Sequence, residues 1–550
     1  MKLQPTGRWD RETTLVGQLA AAASLVTFLF YFRHGDLLLY GDAVAHINIA
    51  RRVIDSRTPG LLQLGTVWLP LPHLLMIPFL FSDAAWQTGV GGAIPSMAAY
   101  VLGTVGVFRL VLGALSHDAT PSQAARVSAW LAAVIYAGNP NLLYLQTTAM
   151  TEPLYLALFI WALVHFSEFA RSTTTTATNS RTPSSSLTKC GLCLIAACLT
   201  RYDGWFLAVV MCIAAVAVVI RSGKPQSLAP VLARFVLLAA VAPLLWLGYN
   251  AIVYRNPLEF ANGPYSARAI EQKTMQSHPG AHDLPVAFSY FFKSAELNMG
   301  ADMGFQQSWA VWFVLGCLAA PLTKRPVTPL LLLGCPLLFY TLSVAYGGVP
   351  IYVPDWWPFS YYNTRYGLEL LPAFSAATAC LAYLALTGAH GRILRWITLV
   401  GTLVLVIGSY ASVWRAQPIC YREAWVNSRT RITLETELAT NLRLLPHNAT
   451  LLMYLGDHVG ALQHAGIPLR QTINEGNHRP WFVPSDPEGL WERALDDPHQ
   501  YADYVIAMDG DPVATAVQKD AQKHGLTSMV VIHTAGQPPA TIYWTGRVTR

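Results

Sequence analysis

The sequence predicts a mostly α-helical, polytopic membrane protein that ends in a small extracytoplasmic α/β domain. Hydrophobic residues make up 53% of its 550 residues and charged residues only 12%, against about 25% charged residues in average soluble domains. The apolar residues fall into repeated runs of about 20 residues, the length that crosses a bilayer as a helix. From about residue 414 onward, charge rises and the apolar runs shorten to the length of strands.

Eleven apolar runs are candidate membrane spans. The first has no small-residue cleavage pattern directly after it, so we interpret it as a retained span rather than a signal peptide. The runs cover residues 15–32, 90–114, 124–138, 153–170, 187–200, 204–220, 233–254, 307–322, 327–346, 366–387 and 396–413. A further apolar stretch, residues 66–81, contains three prolines, which favours an interfacial or re-entrant segment over a span.

Basic residues in the short loops predict the orientation of the chain. If the N-terminus, with Lys2, Arg8 and Arg11, is cytoplasmic, the loops with most of the other clustered Lys and Arg are cytoplasmic too. This agreement requires a hairpin at residues 200–204, because a single helix over residues 190–220 would put its flanking basic loops on opposite sides. The C-terminal segment then lies outside.

Composition also argues against several classes of protein. Every cysteine except Cys420 lies inside an apolar run, which is not the pattern of a disulfide framework. The net charge of +6 includes no basic tract long enough to predict a nucleic-acid partner. The polar, low-complexity residues 172–186 predict a flexible cytoplasmic loop.

Residues 1–413 form the predicted transmembrane domain and residues 414–550 the predicted extracytoplasmic domain. In the second domain, four segments have the composition of strands: residues 450–455, 502–508, 529–533 and 541–544. Residues 431–444 have the periodicity of a helix. Roughly 130 residues are enough for a small core of their own.

Unusual polar residues collect at the predicted outer ends of the spans. Asp42 and His46 lie in the first outer loop, four residues apart, which places them on one face if the loop is helical. The others, in chain order, are Glu152 at the start of a span, Arg201 and Asp203 in the hairpin turn, Arg268 in the fourth outer loop, and Tyr361 and Arg365 in the fifth. Acids, arginines and aromatic residues at helix ends on one side predict an outward-facing cavity.

Each of these residues also has an ordinary structural explanation. Asp42 and Glu152 stand at helix starts, where an acid favours the helix dipole, and the arginine and aspartate of the hairpin turn can pair with each other. Arg365 can anchor its helix at the interface, and His46 can be a satisfied interfacial histidine. The aromatic residues of the fifth loop can belong to an aromatic belt. Taken one by one, the residues leave both interpretations open.

The order of the polar motifs along the chain says more about function than any single residue does. The motifs are, in order, Gly41-Asp42-x-x-x-His46, a proline-rich apolar piece, Asn139-Pro140, Thr151-Glu152-Pro153-Leu154 and Leu199-Thr200-Arg201-Tyr202-Asp203-Gly204. This arrangement resembles the GT-C superfamily of membrane glycosyltransferases. Within it, the chain is similar to bacterial relatives of the protein mannosyltransferase and aminoarabinose transferase group, over roughly residues 10–415.

The resemblance implies a polyprenyl-phosphate-linked sugar as donor and an extracytoplasmic glycan, lipid or protein as acceptor. It also implies inverting transfer, with Asp42 as the base, Glu152 orienting the acceptor or a metal, and a bacterial inner-membrane location. Some relatives have two adjacent acids in the first loop, and this chain has a single acid, Asp42, where those relatives have the pair. A divalent metal is therefore left unassigned.

The chemistry that the resemblance implies fits these residue types. A carboxylate can take the proton of an attacking hydroxyl or amine, and arginines can stabilise the phosphate that leaves. Arg201, Arg268 and Arg365 are the candidates for that second role. His46 is expected to orient the base or to contact the phosphate, and Tyr361, with Trp356 and Trp357, to line the sugar or the prenyl chain.

Two other functions compete with this interpretation. A transporter or lipid flippase would also bury acids and arginines in a helical bundle, but near mid-span and with an internal repeat. A membrane scaffold with a partner-binding outer domain would leave the clustered polar loops unexplained.

Overall fold

Helical structure covers each of the eleven predicted membrane spans in the computed structural model of the protein. The structure describes residues 10–116, 120–174, 181–223, 225–263, 266, 269, 278–325, 327–388, 391–478, 488–520 and 525–547. Within these residues, nine helical segments are long and apolar enough to cross a membrane. The multi-pass helical architecture is therefore confirmed, and the number of eleven spans stays a prediction.

The helical part of the chain runs from α1 to α19. Its helices are α1 (Arg11–His34), α2 (Gly41–Arg52), α3 (Leu71–Met76), α4 (Asp83–Gln87), α5 (Val90–Leu115), α6 (Gln123–Gly138), α7 (Pro140–Leu145), α8 (Glu152–Thr174), α9 (Arg181–Cys198), α10 (Asp203–Arg221), α11 (Pro225–Tyr254), α12 (Glu259–Asn262), α13 (Leu284–Met299), α14 (Met303–Leu322), α15 (Thr328–Leu331), α16 (Cys335–Tyr346), α17 (Leu371–Thr387), α18 (Arg392–Ala416) and α19 (Ile419–Leu442). Short 3₁₀ turns occupy Asp36–Leu38, Leu61–Leu64, Ile77–Phe79, Leu332–Gly334 and Thr364–Leu370.

Central and peripheral helices differ in how much of their surface is covered. In α5 and α8, 67% of the most apolar window is buried, against 22% in α1 and in α11. The peripheral helices expose large apolar side chains such as Ile213, Leu237 and Leu318. An apolar surface of this extent marks contact with a membrane, so these helices face lipid and the central ones carry the core.

Between α1 and α5 the chain forms only short helices. The proline-rich residues 66–81 give α3, six residues long, and the 3₁₀ turn Ile77–Phe79. Neither approaches the roughly 20 residues that a span requires, as the prolines predicted. Helix α2 is buried along most of its length, and the side-chain amide of Asn48 donates to the Gln463 side chain of the C-terminal region at 2.9 Å.

The chain turns sharply between α9 and α10, as the distribution of basic residues predicted. Helix α9 ends at Cys198 and α10 begins at Asp203. A side chain at Gly204 would approach the backbone of Ala197 to 2.6 Å, so the close return of the chain requires glycine there. The predicted loop over residues 172–186 was wrong at both ends, because α8 continues to Thr174 and α9 begins at Arg181. Its centre, residues 175–180, lies outside the described residues.

A five-stranded sheet of order β2-β1-β3-β5-β4 forms the C-terminal region. Its strands are β1 (Leu451–Met453), β2 (Thr472–Ile473), β3 (Tyr504–Met508), β4 (Thr527–Ile532) and β5 (Ala540–Trp544), accompanied by α20 (Gly460–Ala465), α21 (Leu490–Asp496), α22 (Pro498–Tyr501) and α23 (Pro512–Asp520). Strand β1 pairs in parallel with β2 and β3, while β5 pairs antiparallel to β3 and β4. The four predicted strands are present, and the two-residue β2 was too short to recognise in the sequence.

Alternate residues of the strands join two different cores. Leu451 and Ile506 belong to the large core that continues into the helical bundle, whereas Leu452 and Val505 belong to a small core beneath α21 and α23. Side chains alternate between the faces of a strand, so one face of the sheet packs towards the membrane helices. Helix α19 joins the two regions and begins twelve residues before the predicted helix at 431.

Candidate active site

Asp42 lies in the first turn of α2 with its carboxylate partly open to solvent. Its side chain is 41% exposed, and Oδ2 accepts a hydrogen bond from Nη2 of Arg365 at 2.6 Å. An acid in the first helical turn is favoured by the helix dipole, so local structure alone explains why an acid fits this position. The contact with Arg365, from the fifth outer loop, is what connects it to other polar groups.

Arg365 is the centre of the polar contacts. It lies in the 3₁₀ turn that follows Asn363, a residue with a positive φ of 56°. Its Nε donates to Oε1 of Glu152 at 3.0 Å, and its Nη1 donates to Oε1 of Glu423 at 2.8 Å. With Asp42 on Nη2, one guanidinium therefore joins α2, α8 and α19 by three charge-assisted hydrogen bonds.

Glu152 links Arg365 to a second arginine. Its Oε1 also accepts from Nη1 of Arg201 at 3.2 Å, and the side chain is fully buried. Within the described part of the chain, its Oε2 has no hydrogen-bond partner. The ring of Tyr366 lies between the two guanidiniums, 5.0 Å from Arg201 and 5.1 Å from Arg365, which adds cation–π attraction to the same place.

Arg201, in the hairpin turn, contacts a second group of acids. Its Nε lies 3.0 Å from Oδ2 of Asp203 and 3.4 Å from Oε1 of Glu369. Its Nη2 donates to the hydroxyl of Tyr340 at 2.9 Å. That hydroxyl lies 2.9 Å from Asp203 and 2.7 Å from Glu369, so the tyrosine holds two carboxyl groups beside each other.

These residues form one continuous network, named here the arginine–carboxylate cluster. Its members are Asp42, Glu152, Asp203, Glu369 and Glu423 with Arg201 and Arg365. Two arginines thus meet five carboxyl groups, and the four other than Asp42 have side chains at most 4% exposed. Charges that are removed from water in this way are stable only when they are paired, so the cluster fixes the relative positions of the elements that carry it.

The sequence analysis missed three members of this site. Glu369 lies inside a predicted span, and because an acid beside hydrocarbon is costly and usually functional, its position was a usable signal. Tyr340 is one of many aromatic residues in the spans. Glu423 lies in the charged region after residue 414, where acids are common and no single one can be singled out from the sequence. In the structure it accepts hydrogen bonds from the backbone N–H and the hydroxyl of Thr364 and from Arg365.

His46 is a buried residue of α2 and pairs with another histidine. Its Nδ1 lies 2.9 Å from Nε2 of His73, and its ring centroid lies 4.7 Å from that of Trp68. Burial, together with the charges of Arg201 and Arg365, lowers the pKa of His46 to about 3. Between these described residues, the hydrogen bond of His46 goes to His73 and not to Asp42, so the expected direct orientation of the base is not seen.

A His46→Gln variant is expected to reduce the dependence of stability on pH. The folded pKa of His46 is about 3 and that of an unfolded histidine about 6.5, so between these values only the unfolded chain takes up the proton. The contribution of neutral His46 is complete above pH 6.5 and falls by up to about 1.4 kcal/mol per pH unit below it. Thermal unfolding in detergent between pH 7.5 and 5 measures this. His34→Gln, at an exposed histidine, is the control, and an unchanged pH dependence in His46→Gln would contradict the expectation.

Tyr361 lies apart from the arginine–carboxylate cluster. Its ring is 5.6 Å from the guanidinium of Arg422, and its carbonyl accepts from Asn427, both on α19. Burial, and then the charge of Asp42, raises the pKa of the next residue, Tyr362, to about 12. The predicted Arg268 lies outside the described residues.

The two tryptophans of the fifth loop are exposed. The side chain of Trp356 is 36% exposed and that of Trp357 59%, and Trp356 lies over the ammonium of Lys293 at 5.8 Å. Among the described residues, no three His, Cys, Asp or Glu side chains are grouped as ligands for a metal ion.

Solved structures share this fold although sequence comparison finds no relative. No protein-family model and no curated protein matches the sequence. The structure of ArnT from Cupriavidus metallidurans bound to undecaprenyl phosphate is similar with a TM-score of 0.56 at 13% identity, over 96% of this chain and 97% of that one. Its apo state gives a TM-score of 0.53 at 14% identity with the same coverage.

A weaker similarity extends to an archaeal enzyme. The oligosaccharyltransferase AglB from Archaeoglobus fulgidus, in complex with an inhibitory peptide and a dolichol-phosphate, gives a TM-score of 0.48 at 12% identity, over 90% of this chain and 69% of that one. The likeness to ArnT establishes the fold alone: the helices and the C-terminal sheet of this chain are arranged as in that protein.

Proposed function

We propose that this protein is an integral-membrane glycosyltransferase that moves a sugar from a polyprenyl-phosphate-linked donor to an extracytoplasmic glycan, lipid or protein. The observation that carries the proposal is the position of Asp42. It is a partly exposed carboxylate at the edge of an otherwise buried arginine–carboxylate cluster, in a chain with the fold of ArnT, which was solved with undecaprenyl phosphate bound.

Asp42 is the acid of the cluster that an acceptor can reach. Its side chain is 41% exposed, whereas Glu152 and Glu369 are 0% exposed. A base must come within hydrogen-bond distance of the proton that it removes. Asp42 takes the acceptor proton while the acceptor oxygen or nitrogen attacks the anomeric carbon. The bond from that carbon to the phosphate oxygen breaks, polyprenyl phosphate leaves with the electron pair, and attack from the opposite side inverts the configuration.

The arginines supply positive charge where the phosphate gains negative charge. Arg365 and Arg201 are our phosphate-binding candidates, because guanidinium groups bind phosphate oxygens through paired hydrogen bonds. Both are held by carboxylates in this structure, so a phosphate that enters must share them or displace an acid. Asp203 positions Arg201, and neutral His46, one turn after the base on α2, anchors that helix through its contact with His73. Arg268 and Tyr361 stay predictions as substrate-binding residues.

Sugar transfer by the purified protein tests the proposal. The full chain in lipid nanodiscs is supplied with extracted lipid-linked sugars and with cell-envelope acceptors, and mass spectrometry records which acceptor gains the mass of a sugar. We expect one donor sugar to be transferred and its polyprenyl phosphate to be released. Movement of the donor across the membrane without any product would instead identify a transporter or flippase.

A Glu152→Gln variant is expected to lower transfer about a hundredfold. The uncharged amide holds Arg201 and Arg365 less firmly, and a misplacement of about 1 Å in a reacting geometry costs this much. Transfer rates at saturating donor measure the effect. Glu12→Gln, at the solvent-exposed pair with Arg126, is the matched control and should keep wild-type activity. A Glu152→Gln rate equal to that of Glu12→Gln would remove Glu152 from the proposed site.

A further inference from the structure

A cavity of about 540 Å³ lies between the outer-end turns of α14 and α18. Eight residues line it: Asp302, Phe305, Ile407, Gly408, Ala411, Ser412, Arg415 and Ala416. None of them belongs to the arginine–carboxylate cluster. The cavity is therefore a second feature, independent of the proposed active site.

The cavity follows from small residues on one face of α18. Ala411 and Ser412 follow Gly408 by three and four residues and precede Arg415 by four and three, so the four residues share one side of the helix. A side chain at Gly408 would come within 2.8 Å of the Phe305 ring, so the helix approaches the wall of the cavity closely there. Larger residues at these positions would fill the space.

Hydrogen bonds hold the two helices at this separation. The indole N–H of Trp309 donates to the hydroxyl of Ser409 at 3.0 Å. The backbone N–H of Ala301 donates to the hydroxyl of Ser412 at 3.3 Å. These bonds place the first turn of α14 beside the last turns of α18, so the cavity is part of the packed structure.

The cavity is apolar at the end nearer Ile407 and charged at the end nearer Ala416. Ile407 is 60% exposed on a helix that crosses the membrane, so the cavity opens towards lipid. From Ile407 to Ala416 the helix advances about 13 Å, and the polar residues lie towards the Ala416 end. The side of the cavity that faces lipid can therefore take a hydrocarbon chain.

Two opposite charges, those of Asp302 and Arg415, line the polar end of the cavity. Asp302 is the residue before α14, yet its side chain makes no capping hydrogen bond. Arg415 lies in the last turn of α18. Among the ion pairs of the described residues, neither side chain takes part in one. Both residues are exposed to solvent, so water hydrates their charges in the protein alone. Because they line the same cavity, a ligand with one negative and one positive group can pair with both.

We propose that this cavity binds an outer-leaflet phospholipid with a phosphoethanolamine headgroup. Arg415 binds the phosphate, because a guanidinium donates paired hydrogen bonds to phosphate oxygens. Asp302 accepts hydrogen bonds from the ammonium, and an acyl chain lies against Phe305 and Ile407. A lipid with only a negative headgroup, such as phosphatidylglycerol or a prenyl phosphate, can still bind Arg415, but it brings no ammonium to pair with Asp302.

Lipid competition on the full-length protein tests this site. The detergent-purified protein is incubated with equal amounts of phosphatidylethanolamine and phosphatidylglycerol, and native mass spectrometry counts the lipids that stay bound. We expect phosphatidylethanolamine to be retained in preference. Arg415→Gln and Asp302→Asn each remove one charged hydrogen-bonding group, which should lower its retention about tenfold. Ala411→Phe fills the cavity and should remove the acyl chain site.

The control is Arg392→Gln, at an exposed arginine on the opposite end of α18, which should bind both lipids as the wild type does. Equal retention of the two lipids by the wild type would overturn the proposal. This comparison uses the wild-type protein alone, so it does not depend on whether any variant folds. Unchanged retention in Arg415→Gln would overturn it as well. Displacement of phosphatidylethanolamine by an equal amount of prenyl phosphate would show that the cavity takes a simple anion instead.

Discussion

An Asp42→Asn variant is expected to lose sugar transfer by about a thousandfold. Asparagine keeps the size of the side chain and a hydrogen bond to Arg365, but it cannot take the proton of the acceptor. Removal of a general base typically costs between about 10² and 10⁴ in rate. The rate of product formation from lipid-linked donor, measured by mass spectrometry at saturating acceptor, gives the effect directly.

The folded state should survive this change. The Asp42 side chain is 41% exposed, so its pair with Arg365 is partly screened by solvent and Arg365 keeps Glu152 and Glu423. Asp36→Asn, in the same outer loop but hydrogen-bonded to the Tyr421 hydroxyl at 3.3 Å, is the matched control and should stay active. Transfer at the wild-type rate by well-folded Asp42→Asn protein would refute the assignment of the base.

An Arg365→Gln variant is expected to lose both activity and stability. Glu152 and Glu423 are buried and would keep their charges without this partner. Breaking a buried ion pair by removing one member costs about 3–5 kcal/mol. Thermal unfolding in detergent and the transfer assay, run on the same preparation, measure the two effects together.

Two further variants separate charge from geometry at this position. Arg365→Lys restores the charge but offers a single ammonium in place of a fork that contacts three carboxylates, so we expect stability to recover in part while transfer stays low. Arg470→Gln removes the 62% exposed arginine that pairs with Asp55 and should change stability by less than about 1 kcal/mol. Equal unfolding temperatures for Arg365→Gln and Arg470→Gln would mean that the cluster does not hold these elements together.

The arginine–carboxylate cluster also connects the membrane helices to the C-terminal region. Glu423 lies on α19, whose far end packs on the sheet through Leu434 and Leu438 in the shared core. Arg365 lies between Glu423 and Asp42, so the position of the proposed base depends on where α19 is held. We therefore expect changes that shift α19 to alter transfer even when they are far from Asp42.

The sequence by itself determined the parts of this protein that depend on local pattern. Runs of about 20 apolar residues are helical in a membrane because every backbone group must be bonded within the segment, so the helices appear where hydropathy predicted them. Gly204 and the basic loops located the hairpin. Asp42, Glu152 and Arg201 were recognisable because acids and arginines at helix ends are rare in an apolar chain.

Only the tertiary structure decided which of these groups meet. Asp42 and Arg365 are 323 residues apart, and no local pattern encodes a contact at that separation. Glu423 was hidden among ordinary charged residues, and His46 was found to contact His73 rather than Asp42. The sequence also does not show which neighbours two adjacent residues, Tyr361 and Tyr362, will contact. The Tyr361 ring lies near Arg422 of α19, whereas the Tyr362 ring packs against Tyr352, and only the packing decides which neighbour each ring contacts.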